Sequence, residues 1–154
     1  MNLFLYVMFA VNLIIPFSVF NNFAKKRRLF TDRYGATITS ASAYVFSLST
    51  GTLLFFVFSP SLVNGILLST AVGVFLGVSY GLLIKFHSLL LGVFYGMLGA
   101  WMGTMLAAVI ADPALCGLPS SFTSMLLMNK IIITGFLSAI SVLTALLLRF
   151  SFRV

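Results

Sequence analysis

Five soft side chains, Met102, Met105, Cys116, Met125 and Met128, fall within 27 residues of one another in the chain. Thioether and thiol sulfurs suit soft ions such as copper(I), so this set is the candidate outer-side metal path. Ligands must converge on one point, however. Met102 and Met105 are three residues apart, about 60° around a helix, and share a face. Met97 points roughly 80° away from Met105. His87 projects in the Met105 direction but lies roughly 27 Å along a helix axis from it. Methionine is also an adaptable packing residue, and packing is the expected role of this set. No assigned metal site and no cofactor is expected, and the five sulfurs stay as speculative ligands only.

Catalytic chemistry finds little to use. The chain has two carboxylates, Asp32 and Asp112, one histidine and one cysteine. A single cysteine excludes an internal disulfide and any CxxC redox or zinc motif. A single histidine excludes a bis-histidine haem from this chain alone. General acid–base catalysis needs a poised carboxylate or histidine beside its substrate. The two carboxylates are expected at opposite ends of the molecule, so the chain is expected not to be an enzyme.

Two polar residues are expected within the apolar spans. Asn12 lies four residues before Pro16, whose ring removes the amide that would bond the Asn12 carbonyl. A kink is expected there, with Asn12 seeking partners inside the bundle. Lys130 is separated from Arg149 by 18 uncharged residues, a length that places both at opposite interfaces if the last helix begins at Lys130. If that helix begins near Phe122, Lys130 lies inside it and needs a partner, for which Asp112 is the candidate. Asp32, among five cations, is expected in a loop, paired with Arg28 or Arg33.

These residues must be held by membrane-spanning helices. The 154 residues are 61% hydrophobic and 7% charged, with a mean hydropathy of +1.18. Soluble domains carry about 25% charged residues. The spans read from the chain are approximately 3–23, 36–58, 62–84, 88–110 and 131–148, each near the 20 or so residues that cross a bilayer. The fold class expected is all-α, a single polytopic domain over residues 1–154 with five transmembrane helices. The first span has no basic residue before it and no cleavage signal, so it reads as a retained helix. Ser88 is the expected cap of the fourth helix after a minimal KFH connection, which forces helices three and four into an antiparallel hairpin.

Basic residues set the orientation. Lys25, Lys26, Arg27, Arg28, Arg33, Lys85, Arg149 and Arg153 fall on one side of a five-span chain, and Lys130 alone on the other. The positive-inside rule therefore puts the N-terminus outside and the C-terminus in the cytoplasm. The net charge of +7 has the same explanation. No nucleic-acid motif accompanies it, and Lys25, Lys26, Arg27 and Arg28 are expected to contact anionic headgroups.

The strongest pattern is small residues at helical spacing. Gly92, Gly96, Gly99, Gly103 and Ala107 fall within a sector of roughly 80° on the fourth helix. Ser69, Gly73, Gly77 and Gly81 repeat the pattern on the third. In lipid, where apolar burial gives no net drive, such faces let helices meet at close range, so a glycine-packed hairpin is expected. Small residues also line helix two (Ala36, Ser40, Ser47, Gly51) and helix five (Thr134, Ser138, Ser141, Ala145). Either the bundle is very compact or one stripe faces a partner. The expected function is an accessory or structural subunit of a larger complex in a bacterial cytoplasmic membrane, associating with other subunits or with itself. The alternative is a small transporter or channel for a neutral solute or a soft metal ion.

Overall fold

The computed structural model describes residues 2–26, 32–58, 61–84, 86–117 and 126–151. Among them are five helices, α1 (Asn2–Lys26), α2 (Asp32–Phe58), α3 (Leu62–Gly81), α4 (Phe86–Ala111) and α5 (Leu126–Ser151), with a 3₁₀ turn at Pro113–Cys116. No strand occurs in the described residues. All five helices are long and apolar enough to cross a membrane, and the protein is all-helical and of integral membrane type.

The distribution of side chains follows from hydrocarbon as solvent. Large apolar groups such as Leu3, Phe17, Phe75, Phe136 and Leu147 face outward, while Ser42, Thr39, Thr50, Thr104 and Ser141 are buried. Outward leucine and phenylalanine cost nothing against lipid tails, whereas small residues inside permit close contact between helices. Several inner hydroxyls are satisfied locally: those of Ser42, Thr50 and Ser141 donate to carbonyls three or four residues earlier. Helix α2 is the hub, with 67% of its apolar window buried against 17% for α1.

Glycines bring α4 against its neighbours. A methyl group at Gly77 would meet the backbone of Gly92, and one at Gly73 the backbone of Gly96; the reverse substitutions would meet Gly77 and Gly73. At Gly81 a methyl would meet the Leu89 backbone. Gly99 and Gly103 differ, since a methyl there would meet Tyr44, Ser47 and Leu48 of α2. Ala107, fully buried, packs with Phe55 and Phe56 of α2. The α4 stripe therefore faces α3 along one half and α2 along the other. A hairpin of two facing stripes was too simple, because α4 lies against both helices at once.

Hydroxyl groups tie the same three helices. Ser88 Oγ donates to Thr39 Oγ1 (3.0 Å), Thr104 Oγ1 to Ser69 Oγ (2.6 Å) and Thr52 Oγ1 to the Gly103 carbonyl (3.0 Å). Trp101 Nε1 donates to Thr70 Oγ1 at 2.7 Å.

Several sequence-based bounds move. Helix α3 ends at Gly81 and α4 starts at Phe86, so the connection starts three residues and ends two residues earlier than the KFH segment suggested. Ser88 is consequently no cap; it is buried inside α4 and bonded to Thr39. Asp32 opens α2 instead of lying in a loop. Helix α5 is already formed at Leu126, which places Lys130 in its second turn; residues 122–125 lie outside the described residues.

Candidate functional site

The α1–α3 contact is built from large side chains, in contrast to the glycine contact on the other face of α3. Leu13, Pro16, Phe17 and Phe20 of α1 and Val72, Phe75, Leu76, Ser79 and Tyr80 of α3 line a gap of about 420 Å³ between the two helices. Tyr80 spans its inner wall. Its hydroxyl donates to the Pro16 carbonyl at 2.6 Å, and its ring packs against Phe20 and Phe46, both with centroids 6.0 Å away. A buried tyrosine keeps its ring in apolar surroundings and finds an acceptor for its hydroxyl; Tyr80 does both, bracing the helices without closing them. The remaining hydroxyl on the gap, Ser79, already donates to the Phe75 carbonyl at 2.7 Å. The gap thus offers an apolar surface with its hydroxyls engaged, suited to an apolar guest.

A second, polar feature lies between α1 and α5. Asn12, 1% exposed, donates from Nδ2 to Ser138 Oγ (2.7 Å) and to the Met8 carbonyl (3.0 Å). Its Oδ1 has no hydrogen-bond partner, nor has Oγ1 of fully buried Thr134, one turn from Ser138. Asn12 lies near the middle of α1, and Thr134 lies in the third turn of α5. Helix α1 continues through Pro16, and the Asn12 amide bridges to α5 just before the proline.

The soft-ligand set is exposed where its side chains are described. Met102 and Met105 are exposed on α4, and Met128 is exposed on α5. Met102 Sδ accepts a hydrogen bond from the Tyr44 hydroxyl at 3.1 Å. Met125 and the Cys116 side chain lie outside the described residues. The described residues hold no cluster of three or more histidine, cysteine or acidic side chains. Lys130 is half-buried, its ammonium 5.7 Å from the centroid of the Phe56 ring, a cation–π contact with α2. His87 is exposed in the first turn of α4. Lys25 is exposed at the end of α1, while Arg27 and Arg28 lie outside the described residues, as does the side chain of Lys26.

The carboxylates end up far apart. Asp32 opens α2 at the end of the bundle where α1 finishes, and Asp112 follows α4 at the other. The small-residue stripes, in contrast, all turn inward. Ser47 and Gly51 meet α4, and Thr134, Ser138 and Ser141 are buried; Ala36, Ser40 and Ala145 are half-buried. The compact-bundle alternative accounts for all four stripes. What sequence reading missed is the α1–α3 gap. Its signal was Tyr80, a polar-tipped aromatic between Gly77 and Gly81 on a helix otherwise patterned for close contact. Comparison of the chain with protein families, curated proteins and solved structures gives no match.

Proposed function

We propose that this chain is a small non-enzymatic membrane protein that serves as an accessory or structural subunit of a larger assembly, in a bacterial cytoplasmic membrane with its N-terminus outside. One observation carries the reading: the preformed apolar gap of about 420 Å³ between α1 and α3. The lining spans eight residue steps on α3, about 12 Å at 1.5 Å per residue. A row of large side chains projecting from a partner helix fits. The small-residue stripes lend no support here, because they are used inside the bundle.

Extraction under mild conditions followed by native mass measurement tests this. A stoichiometric partner protein is expected with the native chain and lost from Val72→Trp, which fills the gap from its lipid-facing side. A lone monomer, or a partner retained equally by the folded variant, overturns the reading.

A second reading, a carrier of small neutral solutes, draws on a different observation: the unpartnered Asn12 Oδ1 and Thr134 Oγ1, buried within membrane-length helices. Buried polar atoms without partners in the hydrocarbon region mark candidate solute sites. Solute uptake into proteoliposomes that falls in Asn12→Leu and Thr134→Val favours it over the subunit reading; no uptake removes it.

A further inference from the structure

Arg149 is placed in a way that its role as a topology signal does not require. It lies two residues before the end of α5, and helical side chains lean toward the N-terminus. Its guanidinium accordingly reaches back along the helix, and Nη2 donates to Ser18 Oγ of α1 at 2.7 Å. Ser18 lies seven residues before Lys25, so the charge is drawn about 10 Å up α1 from that lysine. Ser18 is neutral, and the bond therefore positions the guanidinium without balancing its charge. A guanidinium has five donors, and the Ser18 bond uses one. Next to it runs a groove of about 220 Å³ between α1 and α5, walled by Ile14, Ile15, Val142, Ala145 and Leu146 and ending at Arg149.

An apolar channel that terminates in a guanidinium held by a neutral serine matches one kind of molecule in a bilayer. We propose that the α1–α5 groove binds a net-anionic phospholipid, with its phosphate on Arg149 and one acyl chain along Ile14, Ile15, Val142 and Leu146. The bidentate fork of arginine suits phosphate oxygens, and basic pockets between transmembrane helices are a known setting for anionic headgroups. The favourable field at a helix C-terminus explains a cation at position 149, but not its bond to α1 or the groove beside it. The site differs from the basic run that begins at the end of α1 and uses another helix pair from the α1–α3 gap, so it stands whether or not the subunit reading does.

The test is lipid retention by native mass measurement after exchange into mixed phosphatidylglycerol and phosphatidylcholine nanodiscs and release into neutral detergent. The native chain is expected to retain one phosphatidylglycerol in preference to phosphatidylcholine. Arg149→Gln should lower that retention about five- to tenfold, and Ala145→Phe, which blocks the groove without touching the charge, should do the same. Lys130→Gln, at the other end of α5, should leave it unchanged, and millimolar inorganic phosphate should not displace the lipid. Equal retention of both lipids by the native chain overturns the proposal. So does unchanged retention in either folded variant, or displacement by free phosphate. The two variants alter different atoms, so a failure of one to fold leaves the other decisive.

Discussion

At the residue scale, the side chains that matter most are polar groups given a partner on another helix. Tyr80 holds α1 to α3 through the Pro16 carbonyl. Tyr80→Phe keeps the ring and loses that bond, so a cost of about 0.6–1 kcal/mol is expected, measured by reversible unfolding in mixed micelles; no change would show the hydroxyl to be passive. Asn12 and Ser138 form a pair in which one acceptor stays without a partner. Removing one member leaves the other's polar atoms stranded, whereas replacing both by apolar groups of similar size comes close to neutral. Asn12→Leu with Ser138→Ala is therefore expected to cost less than the sum of the single substitutions, by about 0.5–1 kcal/mol. Additive costs in the same unfolding assay would mean that the two side chains act independently. Asn12 was legible as a buried polar residue because Pro16 follows it by one turn. Its partner was not, since nothing local in the sequence pairs α1 with α5.

At the element scale, the contrast between glycines is the sharpest test of the packing. A side chain at Gly77 runs into the Gly92 backbone, which cannot move aside alone, while one at Gly135 of α5 finds nothing within 4 Å. Gly77→Leu and Gly96→Leu are expected to reach or exceed the upper end of the usual overpacking cost of about 1–3 kcal/mol. Gly135→Leu should stay within about 0.5 kcal/mol of the native chain. Equal effects at Gly77 and Gly135, read from the monodisperse fraction after extraction and from unfolding, would remove close backbone contact as the explanation. Helical periodicity made the stripe on α4 visible, but periodicity describes one helix at a time. That Gly99 and Gly103 meet α2 while Gly92 and Gly96 meet α3 depends on how α4 crosses both. The shifted α3–α4 connection has a similar origin. Gly81 must pass the Leu89 backbone closely, so the turn falls directly after it, and the KFH segment largely joins α4.

At the scale of the whole molecule, the bundle has a tightly joined centre of α2, α3 and α4 with α1 and α5 at its sides. The two grooves, about 420 Å³ and about 220 Å³, both involve α1, the helix with the least buried apolar window. Large side chains on α1 keep neighbours at a distance that glycines elsewhere remove. Orientation is testable on the same scale. In a Cys116→Ser background, Asn2→Cys is expected to react with an impermeant thiol reagent from outside intact cells, and Ser151→Cys only after the cytoplasmic face is opened. The reverse pattern would overturn the positive-inside assignment, which rests on eight basic residues against one.

Composition and periodicity alone determined that this is an all-helical chain with five membrane-crossing segments, because hydrocarbon thickness sets the length of a span and leaves few charges inside it. They also picked out the small-residue faces, since helical spacing is a local property of the chain. Tertiary structure decided where those faces go: inward on all four helices that carry them, which favours the compact bundle over a stripe that faces a partner. It also decided where gaps remain, between α1 and α3 and between α1 and α5. A gap is set by which side chains from distant segments oppose one another, and no single segment records that.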